Sequence, residues 1–200
     1  MLLDASVARS IAVLGWVDHL TKAVGGPLLV AHGVLAEPNE PSELRRIRDA
    51  LQREANASHP GSGRHSKAVA AVFEIDRLLG PPPRIALAFP NVDETRMATR
   101  LTSPEPGQRE WRRGLGLQAR RLDAGEAVSI AIAQARGHDF ASDDGQALIA
   151  YTALTGRPAV RTLDVIQLLI TKRQIDEAAG RDGYRLLRED DLHLLGGPDW

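Results

Sequence analysis

The chain has no cysteine, almost no net charge and no long apolar run. Without thiols it forms no disulfide, no thiolate metal site and no cysteine nucleophile. A formal net charge of -1 excludes a global basic field, so any contact with nucleic acid must come from a local patch. No apolar run approaches the roughly 20 residues of a membrane span, and the start MLLDAS lacks the basic region of a signal peptide. We therefore expect a soluble, cytoplasmic protein that makes no membrane contact.

Short apolar runs alternate with helical patterns along the whole chain. The predicted strands are residues 2–3, 28–31, 85–89, 138–141 and 159–160. Strands separated by helices predict a parallel sheet with helices on both faces, and right-handed crossovers bring the carboxyl ends of all strands to one edge. With 200 residues, 43% of them hydrophobic, the chain suits one domain of ordinary core size. The predicted fold class is α/β, a three-layer α/β/α arrangement around a short-stranded parallel sheet.

Acidic residues stand where predicted strands end and helices begin. Asp4 follows the first strand, Glu37 follows the second, and Asp143 and Asp144 follow the fourth, while Glu126 lies at a helix start. Three or four carboxylates without His or Cys suit a hard cation such as Mg²⁺ or Mn²⁺. Such an ion lowers the pKa of a bound water and neutralises a phosphodiester, which is the chemistry of a nuclease.

Helix capping is the alternative explanation for the same acids. Asp123 and Glu126 have the spacing of a capping box, in which the two side chains accept each other's backbone amides. Asp4 and the pair Asp143 and Asp144 also precede predicted helices, where an acidic N-cap is common. Local spacing therefore leaves both roles open, and capping does not prevent the second carboxylate oxygen from binding a metal.

One local patch combines basic and aromatic side chains. Arg109, Arg112 and Arg113 surround Trp111 in the segment QREWRR. Arginines with an aromatic residue among them are typical of a groove that follows single-stranded RNA by phosphate contacts and stacking. The alternative is a solvated helix face that Trp111 anchors to the core.

The middle and the end of the chain carry weaker patterns. Residues 56–66 are rich in Ser, Gly and His and are predicted to be an exposed linker. We expect one domain over residues 1–175, with an extended and divergent middle segment at about 55–121. Residues 176–200 are predicted to form a helical extension, two short helices separated by Gly183, that packs on the domain or on a partner.

The motifs resemble those of PIN-domain ribonucleases, in particular a prokaryotic, toxin-like subgroup with the pattern LDxGEAxAIxLA, then DD, then GTLxxL. The chain reads LDAGEA at 122–127, SDD at 142–144 and RTL at 161–163, and LDAS at 3–6 matches the opening strand and turn of that family. The match covers about residues 1–37 and 122–175. It is specific because the motifs occur in family order at the correct ends of the chain.

The resemblance implies a metal site for Mg²⁺ or Mn²⁺. Its ligands would be Asp4, Glu126 and one of Asp143 or Asp144, of which Asp144 is preferred because it fits a Ser/Thr-x-Asp pattern. Glu37 corresponds to the remaining acid of the family, although Pro38 departs from the VLEEL-like run found there. The supporting residues would be Ser6, Ser142 and Asp164.

The function implied is a metal-dependent endoribonuclease that cleaves single-stranded or structured RNA, the toxin of a toxin–antitoxin pair. Its partners would be the RNA substrate, a cognate antitoxin protein and a second copy in a homodimer. The alternative is a catalytically inactive PIN-like module that binds RNA or protein.

Overall fold

The structure, a computed structural model, describes residues 1–31, 43–79, 85–117 and 122–189. Over these ranges the chain is a mixed α/β protein with four strands and ten helices. The strands are β1 (Leu2–Leu3), β2 (Leu28–Ala31), β3 (Ile85–Ala88) and β4 (Phe140–Ala141). The helices are α1 (Ala5–Val13), α2 (Val17–Val24), α3 (Glu43–Ala57), α4 (Gly63–Leu79), α5 (Val92–Thr102), α6 (Pro106–Gly114), α7 (Ala124–Arg136), α8 (Gly145–Thr155), α9 (Thr162–Thr171) and α10 (Glu177–Glu189). None of these helices is long and apolar enough to cross a membrane.

The four strands form one sheet in the order β3-β2-β1-β4, and every pairing is parallel. In the register, Leu3 pairs with Val30 on one side and with Ala141 on the other. The predicted strand at 159–160 is reduced to a single bridge between Val160 and Ala141. The prediction of a short-stranded parallel sheet is confirmed, and its geometry brings the carboxyl ends of the strands to a common edge.

Neighbouring residues of each strand enter different hydrophobic cores. Leu2 and Phe140 belong to a core with residues of α5, α7 and α8, whereas Leu3 and Ala141 belong to a core with residues of α1, α2, α4 and α9. This alternation follows from the two-residue period of a strand, which points successive side chains to opposite faces of the sheet. Both faces are therefore buried, an arrangement compatible with a three-layer α/β/α fold.

The predicted linker at 56–66 is wrong at both of its ends. Helix α3 extends to Ala57 and α4 begins at Gly63, so only residues 58–62 connect the two. The hydroxyl of Ser62 accepts the backbone amide of His65, as an N-cap side chain does, and this bond starts α4 inside the Gly- and Ser-rich segment. Composition predicted a loop, but a cap and the packing of α3 on α4 extend both helices into it.

The predicted break at Gly183 is also wrong, because α10 continues through that residue. A Cβ atom at Gly183 would overlap the indole of Trp16, so glycine permits close approach here rather than ending the helix. Tyr184 and Leu187 of α10 bury their side chains beside Ile166 of α9. The C-terminal helix therefore packs on α9 and on the α1–α2 turn.

Candidate functional site

Three of the predicted site residues lie at the carboxyl edge of the sheet. Asp4 follows β1, Glu126 lies in the first turn of α7, and Asp144 follows β4 at the N-cap position of α8. Burial, and after it the nearby charges of Asp123, Asp144 and Asp4, together raise the pKa of Glu126 to about 8. Carboxylates separated by well over a hundred residues in sequence thus interact electrostatically in the fold.

Asp4 is held by two serine hydroxyls. The hydroxyl of Ser142 donates to Asp4 Oδ2 at 2.9 Å, and that of Ser6 donates to the same oxygen at 3.2 Å. The side chain is only 8% exposed. Burial raises the pKa of Asp4, and this effect outweighs the Ser142 bond, which favours the carboxylate. Although Asp4 precedes α1, its side chain forms no capping hydrogen bond, so capping does not account for it.

Glu126 and Asp144 do cap helices, each with one carboxylate oxygen. In the capping box of α7, Glu126 Oε2 accepts the amide of Asp123 at 3.0 Å and Asp123 accepts the amide of Glu126 at 2.7 Å. Asp144 Oδ1 accepts the amides of Gln146 and Ala147 at 2.7 and 3.0 Å. The second oxygen of Glu126 and of Asp144 accepts no hydrogen bond within the described ranges. Capping and metal binding are therefore compatible at both residues.

The structure separates the roles of the two adjacent aspartates. Both oxygens of Asp143 point to the start of α9, where they accept the amide of Thr162 at 2.9 Å and its hydroxyl at 2.5 Å. Burial raises the pKa of Asp143, although the Thr162 bonds favour its charged form. Of these two aspartates, Asp144 is the one whose charge raises the pKa of Glu126. Asp144 therefore faces the cluster and Asp143 faces away from it.

The two outlying acids are placed differently. Asp164 lies in the first turn of α9, where Oδ2 accepts the amide of Arg161 at 2.8 Å and its guanidinium Nε at 3.4 Å. Its side chain is 46% exposed. Asp164 therefore caps α9 and pairs with Arg161 instead of joining Asp4. Glu37 lies outside the described residues.

The donor set suits a hard cation in its chemistry. No Lys or Arg of the described ranges forms a salt bridge with Asp4, Glu126 or Asp144. Burial and mutual repulsion therefore act on carboxylates that have no basic partner within the described ranges, and a divalent ion bound beside them would relieve both effects. In residues 1–31, 43–79, 85–117 and 122–189, no three His, Cys, Asp or Glu side chains are grouped closely enough to hold a metal ion.

The basic patch lies on α5 and α6 and differs from the predicted set. Arg109 and Arg113 are exposed, and Trp111 is partly buried beside the core that contains Leu2, Phe140 and residues of α5, α7 and α8. Arg112 is only 6% exposed and donates to the carbonyls of Arg100 and Ser103, so it supports the end of α5 instead of forming part of the surface. Reasoning from the segment QREWRR missed Arg100, whose guanidinium lies 4.2 Å from the centre of the Trp111 ring.

A salt bridge joins α5, which carries Arg100 of this patch, to α7, which carries Glu126. Glu94 in the first turn of α5 pairs with Arg136 in the last turn of α7 at 2.7 Å. The start of α5 therefore lies beside the end of α7.

No family model, curated protein or solved structure matches this chain. The structure itself defines the class, a mixed α/β protein with an all-parallel sheet and acids at its carboxyl edge. Sequence reasoning missed two contacts, that of Thr162 with Asp143 and that of Arg100 with Trp111. Thr162 appeared only as part of the RTL motif, and Arg100 lies outside the segment QREWRR. Both roles depend on partners that are not adjacent in the sequence.

Proposed function

We propose that this chain is a PIN-like, metal-dependent endoribonuclease. The observation that supports this most is the placement of Asp4, Glu126 and Asp144 at the carboxyl edge of a parallel sheet. Open α/β sheets bind their ligands at this edge. The raised pKa of Glu126, about 8, supports a shared site because part of it comes from the charges of the other two acids.

The metal ligands in this proposal are Asp4, Glu126 and Asp144, with Glu37 as the fourth acid. Mg²⁺ or Mn²⁺ bound there would supply an activated water and neutralise the phosphodiester. The chain's own residues orient the ligands: Ser6 and Ser142 hold one oxygen of Asp4, and the capping bonds fix one oxygen each of Glu126 and Asp144. Ligands held in this way lose little rotational freedom when the ion binds.

The proposed substrate is single-stranded or structured RNA. Arg109 and Arg113 would bind phosphates of the RNA, and Trp111 would offer an aromatic surface that Arg100 already covers on one side. Arg112 contributes only by holding the end of α5. This binding should weaken with added salt, because each arginine–phosphate contact releases counterions from the RNA.

The biological setting belongs to the same proposal. The motifs that resemble the toxin-like subgroup support a cytoplasmic toxin with a cognate antitoxin, and homodimerisation is part of the same expectation. A small antitoxin gene beside this one, and co-purification of its product with this chain, would support that role.

A second candidate function is a PIN-like module that binds RNA or protein without cleaving. It is favoured by Pro38, which departs from the family run at Glu37, and by the lack of a grouped three-ligand site among the described residues. Metal-dependent cleavage separates the two candidates, because a module that only binds RNA or protein would not cleave RNA when Mn²⁺ is added.

The test is cleavage of a fluorescent single-stranded RNA with Mn²⁺. We predict that wild-type protein cleaves it and that Asp4→Asn abolishes cleavage while the protein stays folded, since the amide still accepts a hydroxyl bond. The matched control is Asp139→Asn, which makes the same change at the other end of β4, where Asp139 is exposed and pairs with Arg157. Unchanged cleavage by Asp4→Asn would reject the proposed site.

A further inference from the structure

The turn that follows β4, residues 142–144, is bound to its surroundings by side-chain hydrogen bonds. Ser142 donates to Asp4 at 2.9 Å and accepts the amide of Asp144 at 3.1 Å. The hydroxyl of Ser6, which also donates to Asp4, accepts the amide of Asp143 at 3.3 Å. The position of this turn therefore sets the positions of Asp4 and Asp144 together.

The start of α9 fixes the same turn from the other side. Thr162, the first residue of α9, is fully buried, and its amide and hydroxyl both donate to Asp143. Arg161 stands at the N-cap position but its side chain provides no capping bond, so Asp143 fills that role from a turn 19 residues earlier. The backbone amide of Ser142 also donates to the carbonyl of Val160 at 2.9 Å.

These contacts form one continuous chain from α9 to the candidate site. Thr162 binds Asp143, the amide of Asp143 binds Ser6, and Ser6 binds Asp4. Each oxygen of Asp143 accepts one bond from Thr162, so this carboxylate is directed towards the start of α9. The positive end of the α9 dipole further stabilises its charge.

We infer that Asp143 and Thr162 are a pair of positioning residues that hold Asp4 and Asp144 in the geometry required for catalysis. The inference builds on the proposed ribonuclease function and removes Asp143 from its ligands. The role is indirect, since neither side chain faces the cluster of Asp4, Glu126 and Asp144. Partners of this kind around metal ligands typically change activity or metal affinity by about 10- to 100-fold when removed.

The test replaces only the hydroxyl, with Thr162→Val, and restores it with Thr162→Ser. The control is Thr155→Val at the far end of α8, where the hydroxyl donates to the carbonyl of Tyr151 at 2.7 Å and accepts the amide of Arg157 at 3.1 Å. Two quantities are measured, kcat and KM for RNA with Mn²⁺, and amide hydrogen exchange of residues 143–147 in metal-free protein. An effect through general stability should change kcat and amide exchange in both Val variants to a similar extent.

We expect Thr162→Val to lower kcat roughly 10- to 100-fold with little change in KM, and to speed amide exchange in the turn. Thr162→Ser should return both quantities towards wild type, and Thr155→Val should change neither. Asp143→Asn keeps an oxygen for the Thr162 amide and should lose less activity than Asp4→Asn.

Each result has a definite meaning. The positioning role would be overturned if both Val variants lowered kcat equally. It would also be overturned if the amides of residues 143–147 exchanged no faster in Thr162→Val than in the wild type. Loss of Mn²⁺ binding in Asp143→Asn as complete as in Asp4→Asn would show that Asp143 is a ligand. Wild-type protein that neither binds Mn²⁺ nor cleaves RNA would reject the ribonuclease proposal instead, and the exchange data would still decide whether Thr162 fixes the turn.

Discussion

At the scale of single residues, the main feature of the molecule is that burial disfavours the charged form of its buried acidic side chains. Burial is the largest cause of the raised pKa values of Asp4, Glu126 and Asp143, and hydrogen bonds from Ser142 and Thr162 only partly oppose it. A protein keeps carboxylates in such surroundings when they bind something positive, or when a structural contact needs them. Asp143 has such a contact in Thr162, whereas the charges of Asp4 and Asp144 both act on Glu126.

The raised pKa of Glu126 predicts how stability depends on pH. Its pKa is near 4.5 in the unfolded chain and about 8 in the fold, so the folded protein keeps this proton across that window. Raising the pH therefore favours unfolding, and stability falls progressively from about pH 4.5 to about pH 8. Asp4 and Asp143 act in the same direction because their pKa values are also raised.

The measurement is the melting temperature at a series of pH values in a metal-free buffer. Glu126→Gln should flatten the decline between pH 5 and 8, whereas Glu110→Gln, a change at an exposed position of α6, should keep the wild-type slope. A Glu126→Gln protein with an undiminished slope would show that Glu126 titrates normally in the fold.

At the scale of elements, the sequence predicts best what depends on near neighbours. The capping box of α7 was readable from LDAGEA because both of its hydrogen bonds join residues three apart. The break at Gly183 was predicted wrongly for the complementary reason, since the glycine serves a contact with Trp16 far away in sequence. The predicted linker at 56–66 was wrong for a similar reason, because the packing of α3 on α4 outweighed a composition typical of loops.

The contact between α10 and Trp16 gives a prediction about stability. Gly183→Ala should destabilise the protein by about 1–3 kcal/mol, because overlap with the indole outweighs the gain in helix propensity of up to about 1 kcal/mol. Gly107→Ala in α6 is the control, since the space around that glycine is open, and it should be neutral or slightly stabilising. Urea unfolding measures both. A Gly183→Ala protein as stable as wild type would mean that α10 does not lie this close to Trp16.

At the scale of the whole molecule, topology places the acids at one edge. Strand and helix alternation was enough to predict a parallel sheet, and a parallel sheet is enough to bring Asp4 towards Asp144. The pattern did not show that Asp143 turns to Thr162, that Arg112 is buried or that Arg100 covers Trp111. Those facts depend on side-chain directions that only the packed structure sets. The prediction for Glu37 stays a prediction, because that residue lies outside the described ranges.

The most direct test of the shared carboxylate site is a calorimetric titration of metal-free protein with Mn²⁺ at pH 8, comparing wild type with Asp4→Asn. Because the pKa of Glu126 is about 8, a large share of its carboxyl groups is ionised at this pH. Glu126 should bind the ion together with Asp4 and Asp144, so the wild type should show a single site of micromolar affinity and a matching rise in melting temperature. Asp4→Asn should lose both. Equal Mn²⁺ affinity in the two proteins, or no binding by the wild type, would contradict a metal centre built on Asp4, Glu126 and Asp144.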